Sequence, residues 1–213
     1  MTGHRLTPHT IDSVPALRAL LGEPAESLRL KIADHVNDVT RRFIEHAPFL
    51  CLATSDAEGN CDVTPRGDPR GFVRILDART PLLPERPGNK LADALSNILA
   101  NPHVGLLFFI PGVGDTFRVN GRATLTTDRE LLEPSAVEGK VPKLGILVDI
   151  DEAFTQCPKA FIRSQLWNPE HFMQRDALPT GGEVLRSLQG DDFDAEGYDA
   201  ERAERYARRQ GFY

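Results

Sequence analysis

Residues 61–90 read CDVTPRGDPRGFVRILDARTPLLPERPGNK, and the rest of the chain is organised around them. Two apolar runs, GFVRILD from Gly71 to Asp77 and TPLLP from Thr80 to Pro84, lie between two basic turns. The first turn, Thr64-Pro65-Arg66-Gly67-Asp68-Pro69-Arg70-Gly71, offers two guanidinium groups and a hydroxyl. Proline sets φ and glycine frees it, so this loop is both stiff and sharply bent. The second turn, Pro87-Gly88-Asn89-Lys90, runs straight into the helical pattern LADALSNILAN. Asn89 is a good N-cap type, and a helix start offers unpaired N–H groups and the positive end of the dipole. With Lys90 beside it, this is a phosphate seat, and a guanidinium from the first turn can clamp the same anion bidentately. The pattern predicts a phosphate-bearing ligand lying across a small sheet. Taken alone, an Arg-Gly or a Gly-Asn-Lys is more often a solvated turn. Neither G-x-x-x-x-G-K-[ST] nor G-x-G-x-x-G is present to name the ligand.

Outward from this stretch, bulk properties narrow the class. The 213 residues are 40% hydrophobic and 26% charged, ordinary for a globular protein, and suffice for one large domain or one with appendages. A formal charge of −6 argues against broad binding to nucleic acid or anionic membranes. No apolar run approaches the ~18 residues of a membrane span. The N-terminal MTGHRLTPHT has no hydrophobic core of a secretory signal. Three widely spaced cysteines do not make a disulfide framework and suit a reducing compartment. The expected location is the cytoplasm.

The first part of the chain, residues 10–47, reads as helical. Asp12 or Ser13 caps Val14–Leu21, Gly22 stops it, and a second segment runs from Pro24 to Pro48. His35 and His46 in that segment have no Cys or carboxylate cluster at ligand spacing, so both are expected on the surface and no metal site is expected. From Phe49 the period changes to that of strands. FLCLATSD, a turn at Ala57-Glu58-Gly59-Asn60 and a return from Cys61 to Arg66 form a hairpin signature. Cys51 and Cys61 are expected as packing residues. The helix predicted over Lys90–Asn101 places Leu91, Ala94, Leu95, Ile98 and Leu99 on one face. HVGLLFFI, residues 103–110, is nearly all apolar and is expected as a strand buried on both sides. Thr116–Thr126 alternates strongly, Asp128–Pro134 suits a short helix, and Lys143–Phe154 is a further strand. About six strands, short turns and few long crossovers predict a small antiparallel barrel.

Towards the C-terminus, Pro158 fits the first position of an amphipathic turn pattern running through Arg163 to Trp167. Cys157 at that start is expected to be a plain structural thiol, since no His base or oxyanion motif accompanies it. Trp167 is expected to pack on a ligand ring or a subunit partner. Residues 171–189 read as irregular and then helical, broken at Gly181-Gly182. Gly190–Asp194 reads as an acidic surface turn, without the spacing of a calcium loop. Residues 200–210 read as a charged helix with Glu201–Arg205 and Glu204–Arg208 pairs.

Four segments, FLCLATSDAEGNCDVTPRGDPRGFVRILD, RPGNKLADALSNILANPHVGLLFFIPG, FRVNGRATLT and CPKAFIRSQLW, together resemble the FMN-binding split-barrel proteins related to pyridoxamine 5'-phosphate oxidase. More narrowly, they are similar to the bacterial branch with "PRGD…GF" and "GN…NIL.NP" signatures. The resemblance runs in order from about residue 43 to 169. It implies a mainly β, α+β fold: a six-stranded antiparallel split β-barrel over residues 48–169, with helical extensions at 1–47, packed on the barrel, and at 170–213. It also implies a homodimer with one FMN per subunit in a groove at the interface. In that arrangement Arg66 and the Gly67-Asp68 backbone lie at the flavin or its phosphate tail, and Phe72 and Val73 line the ring. Asn89 and Lys90 hold phosphate, and Arg163 and Trp167 complete the site from the same or the second subunit.

Two departures bear on the activity. Where related members often carry His before the Cys of the last motif, this chain has Gln156, and ERYARRQGFY lacks the Arg-x-His of the true oxidase's substrate tail. The expectation is therefore an FMN-dependent oxidoreductase rather than a pyridoxamine-phosphate oxidase, passing electrons between a small-molecule substrate and oxygen or a nicotinamide cofactor. The protein's part in such chemistry is placement and electrostatics. The rival expectations are a non-catalytic binder of FMN, haem or a deazaflavin, and a dimer with a purely structural role.

Overall fold

A computed structural model describes residues 9–213; the first eight residues, which carry most of the polar N-terminal stretch read above, lie outside the described residues. These divide into two compact units, one ending at Ile32 and one running Ala33–Tyr213. In the first, α1 (Val14–Leu21) begins at Ser13, whose hydroxyl accepts from the Ala16 N–H, and ends at Gly22 with φ 75°. The short α2 (Glu26–Arg29) follows.

The larger unit is built on one seven-stranded antiparallel sheet. Its strands are β1 (Phe49–Ser55), β2 (Cys61–Gly67), β3 (Arg74–Asp77), β4 (Thr80–Glu85), β5 (His103–Phe109), β6 (Thr116–Thr126) and β7 (Leu144–Gln156). They are ordered β2-β1-β5-β6-β7-β4-β3. This is the expected antiparallel α+β class. The count is seven rather than about six, and the runs GFVRILD and TPLLP supply a short hairpin, β3–β4, at one edge. The sheet runs from β2 to β3 without closing on itself.

Alternation along the strands makes the core. Leu50 and Leu52 of β1, Leu106 and Phe108 of β5, Phe117 and Val119 of β6, and Ile146, Val148 and Ile150 of β7 are all buried on one face. Leu83 of β4 and Val73 join them, with Ile44 from α3 (Arg41–His46) and Ala94 and Ile98 from α4 (Asp93–Ala100). Phe43 stacks on Phe117 with ring centroids 5.6 Å apart. The longest pairing, β6 with β7, shifts register at Asn120/Gly121. There a Cβ on Gly121 would lie 2.1 Å from the Asp149 carbonyl oxygen, so only glycine allows the approach.

The second N-terminal segment is not one helix. Ala33 instead pairs with Ala153 of β7, and the Asn37 side chain accepts from the Val39 and Thr40 N–H groups. Such local bonds offer the backbone an alternative to helix, and helix resumes only at Arg41. β5 alternates between buried and partly exposed residues, so it is not covered on both faces; in an antiparallel sheet one face can stay open. Cys61 is exposed and Cys51 half-buried, which withdraws the packing role for Cys61. His35 and His46 are exposed, His35 Nδ1 lying 2.8 Å from Asp34 Oδ1 and His46 Nδ1 2.8 Å from the Arg42 carbonyl oxygen.

After β6, α5 (Arg129–Leu132) and a single 3-10 turn over Glu133–Ser135 lead to β7. The predicted amphipathic turn forms α6 (Lys159–Ser164). Gly181-Gly182 begins α7 (Gly181–Gln189) rather than breaking it, because Thr180 and Glu183 form a capping box there. A Cβ on Gly182 would lie 2.2 Å from the Ala195 carbonyl oxygen of α8 (Ala195–Ala207), so the two helices cross closely at that glycine. The acidic turn supplies the cap of α8, Asp194 accepting from the Gly197 N–H at 2.9 Å. The Glu201–Arg205 and Glu204–Arg208 pairs both form. No helix among the described residues is long and apolar enough to cross a membrane.

Candidate functional site

The two basic turns come together. Arg66, Asn89 and Lys90 line one cavity of about 480 Å³, with Thr64, Glu85 and the first turn of α4. Register explains how Arg66 reaches it. Arg66 lies opposite Leu50 and Gly67 opposite Phe49, so the Arg66 side chain projects from the core face of the sheet. Its guanidinium is fixed by three bonds: Nε to Glu85 Oε2 at 3.0 Å, and Nη1 to Thr64 Oγ1 at 2.9 Å and to the Pro65 carbonyl oxygen at 3.0 Å. A guanidinium has five N–H donors, so the two on Nη2 are uncommitted among the described residues. Glu85 holds the group in place without consuming it.

The helix start differs from the expected one. Asn89 does not cap a helix beginning at Lys90. Its Oδ1 accepts from the Leu91 N–H at 3.0 Å, and α4 begins three residues later, at Asp93, after Ala92. Lys90 and Ala92 both have left-handed backbone, with φ of 65° and 60°. For residues with a Cβ this conformation costs free energy and concentrates at binding loops. It turns the chain so that Lys90 and the first turn of α4, whose first N–H groups have no partner within the helix, line one cavity. Leu91 therefore lies before the helix, 67% exposed, and within it Ala94, Asn97 and Ile98 form the buried face, which leaves Leu99 77% exposed.

Gly67 and Phe72 line an adjoining recess of about 210 Å³ with Arg66, Pro84 and Glu85. Val73 is 2% exposed and packs in the core, so its side chain does not face that recess. Asp68 points elsewhere. Its carboxylate, 1% exposed, accepts from Arg86 Nε at 2.6 Å and from the Tyr213 hydroxyl at 2.7 Å. Arg86 also donates to the Ser135 carbonyl oxygen at 2.9 Å, and its guanidinium lies 5.2 Å from the Tyr213 ring centroid. The Asp68 hydrogen bond, then burial and the Asp68 charge, push the Tyr213 phenol up from its ordinary range.

Arg163 and Trp167 are not brought to this cavity. Trp167 stacks on Phe161 at 5.8 Å and donates from Nε1 to the Val113 carbonyl oxygen at 2.9 Å. Phe161 in turn meets Phe109, and Phe109 meets Phe49. Phe49 and Phe109 lie on the face of the sheet opposite Leu50 and Phe108. The aromatic row leading to Trp167 therefore leaves from the opposite face to Arg66. Arg163 is exposed.

Three features had no sequence signal. Glu85 and Arg86 sat unremarked in PERPGNK. The Tyr213 contact spans 145 residues, and no local pattern encodes a pairing at that range. Among the described residues no group of three or more His, Cys, Asp or Glu side chains is arranged to hold a metal ion.

Comparison with known proteins gives the wider setting. No curated protein matches the chain. Among solved structures, HupZ of Group A Streptococcus is 18% identical, with 56% of this chain and 93% of that one covered and a TM-score of 0.44. A structure described as a putative pyridoxamine 5'-phosphate oxidase, from Lactobacillus delbrueckii, is 21% identical over 57% and 95%, with a TM-score of 0.44. An FMN-binding protein from Syntrophomonas wolfei is 12% identical over 66% and 97%, with a TM-score of 0.43. The profile of the family described as Pyridoxamine 5'-phosphate oxidase matches residues 36–157, a span that takes in α3, all seven strands and both basic turns. The chain belongs to the pyridoxamine 5'-phosphate oxidase family.

Proposed function

We propose that this protein is an FMN-binding flavoprotein that works as an oxidoreductase, passing electrons between a small-molecule substrate and a nicotinamide cofactor or oxygen. The observation that carries the proposal is the cavity that joins Arg66, Lys90 and the start of α4. Family membership supports a flavin as the ligand, and the residues present suit the phosphate of FMN. A phosphate monoester needs charge and several N–H donors at once. Arg66 Nη2, Lys90 Nζ and the first N–H groups of α4 offer both, and Asn89 keeps the loop in the shape that presents them.

In this reading residues 48–169 form the cofactor domain, flanked by helical extensions at 1–47 and 170–213. Gly67 lets the chain come close to the ligand, Phe72 offers a ring edge in the adjoining recess, and Val73 contributes backbone only. The Asp68 carboxylate is committed to Arg86 and Tyr213, so Asp68 serves the site by holding the loop. Arg163 and Trp167 leave from the opposite face of the sheet, so they meet this cavity only from a second copy; that is the argument for a homodimer with the site at its interface. The redox chemistry belongs to the flavin ring. This chain's residues bind its phosphate, orient it and shape the space beside it.

The test is the visible absorbance spectrum of the purified protein, before and after addition of FMN, with mass analysis of anything released on denaturation. Stoichiometric FMN that is bleached by NADH or NADPH and recovers in air is the expected result. Protein that stays colourless after FMN is added overturns the proposal. FMN held but never reduced by any donor would leave a cofactor-holding role in its place.

A further inference from the structure

Opposite the core, the sheet turns a second face outward, and the cofactor reading leaves the charges there unassigned. Register places Phe49 and Cys51 of β1, Leu107 and Phe109 of β5, and Arg118 and Asn120 of β6 on that face. Arg122 follows on β6, and Asp149 and Glu152 stand beside it on β7. Strand β6 therefore shows two cations and β7 two carboxylates. Among the described residues none of the four makes an ion pair, although Arg122 and Asp149 are opposite each other in register. Arg122 approaches only His103, at 3.4 Å, and Glu152 accepts from the neutral Asn120 side chain at 3.1 Å. Arg118 lies 4.4 Å from the Phe154 ring centroid, and its buried Nε has no hydrogen-bond partner. A buried donor left unmade costs free energy, so the single chain does not satisfy Arg118.

The two charged rows lie side by side on neighbouring strands. A two-fold axis running between β6 and β7, along the strands, exchanges them, so that β6 of one copy lies over β7 of the other. Arg122 then meets the partner's Asp149, its opposite number in register. Arg118 stands diagonally from the partner's Glu152, about 7–8 Å along, an offset that a long side chain spans. One strand further from the axis, β5 with Phe109 comes over β4 of the partner, which ends at Glu85 on the cofactor cavity. The aromatic row from Phe49 to Trp167 is thereby carried towards that cavity. Beside it Ile162 and Leu166, 68% and 48% exposed in the single chain, supply apolar surface to bury. A row of cations beside a row of anions is matched by its own copy, whereas a different protein needs a second such pair built to fit.

We propose that this face is the contact surface for a second copy of the chain, with Arg122 and Arg118 of each copy pairing with Asp149 and Glu152 of the other about that axis. The homodimer itself belongs to the cofactor reading, on which this proposal rests; the face and the four paired residues go beyond it.

The test reads the mass of the full chain by sedimentation equilibrium over a range of concentrations. Wild type is expected to be a dimer. Arg122→Glu and Asp149→Arg each set like charges against one another twice per dimer, and each is expected to weaken association by at least about tenfold. Arg122→Glu/Asp149→Arg puts opposite charges back across the axis and is expected to return the wild-type affinity. Both residues are exposed, and thermal unfolding of each variant checks the fold. Wild-type affinity in both single variants overturns this face and leaves a homodimer formed elsewhere. Weakening that the swap does not reverse overturns the pairing. A monomeric wild type overturns the face and the homodimer of the cofactor reading together, whether or not FMN binds.

Discussion

The Tyr213 hydroxyl donates a 2.7 Å hydrogen bond to Asp68 Oδ1, tying the last described residue to the first basic turn. Asp68 receives Arg86 on its other oxygen. The turn that carries Arg66 is thereby fixed to the segment that carries Lys90, and the C-terminal stretch is drawn over the same region.

Loss of the Asp68 carboxylate is therefore expected to cost stability. With its side chain 1% exposed and that of Arg86 16% exposed, Asp68→Ala leaves a largely desolvated guanidinium unpaired. The expected destabilisation is about 3 kcal/mol, the low end for breaking a buried pair because Arg86 keeps some access to water. Urea unfolding measures it. A loss under about 0.5 kcal/mol, the range of plain surface substitutions, would show that the pair is not the clamp described.

The Tyr213 contact carries a pH dependence of definite sign. Its phenol titrates above the ordinary range, chiefly through the hydrogen bond to Asp68. A raised pKa in the folded protein means the stabilising contribution is full below the ordinary phenol value. It is lost as pH rises through the raised one. Tyr213→Phe is expected to remove one high-pH phenolate transition from the ultraviolet absorbance titration and to flatten stability between those two values. If the transition that disappears lies at or below the ordinary value, the hydrogen bond does not persist in solution.

Gly121→Ala tests the register shift between β6 and β7. A Cβ there meets backbone, not a movable side chain, so the strands must separate. Overpacking of this kind costs roughly 1–3 kcal/mol, and thermal unfolding should record a clear fall in Tm. An unchanged Tm would mean that the two strands do not approach as described.

The cofactor reading predicts separate effects for its two cations. Lys90→Ala removes one charge-assisted contact, worth about 1.5–3 kcal/mol, and should weaken FMN by on the order of tenfold to a hundredfold. Arg66→Ala should do at least as much and also lower stability, because it leaves Glu85, 19% exposed in its side chain, without a partner. Flavin titration followed by absorbance reads the first effect and unfolding the second. Wild-type FMN affinity in both variants would sink the assignment of the phosphate to this cavity.

Much of the fold was legible because it is local. Alternation over Thr116–Thr126, the Ser13 and Gly22 ends of α1, and the hairpin around Gly59 each depend on neighbours within a few residues, and each formed where read. Readings that depended on what lies across the sheet fared differently. The apolar run at residues 103–110 looks the same whether one or both faces are covered, and Gly181-Gly182 looks like a break until α8 is seen to need that close approach.

For the site, the sequence by itself determined the chemistry on offer: Arg66, Asn89 and Lys90 on two stiff basic turns beside a helix start. Residue type sets charge and donors, and Pro and Gly set where the chain can bend. Only the tertiary structure decided which of those groups meet. Strand register sends Arg66 to one face of the sheet while the aromatic row to Trp167 leaves from the other. Left-handed backbone at Lys90 and Ala92 moves the helix start to Asp93. Tyr213 reaches Asp68 because the buried carboxylate needs its oxygens satisfied, and a partner 145 residues away can be supplied by folding but not read from spacing.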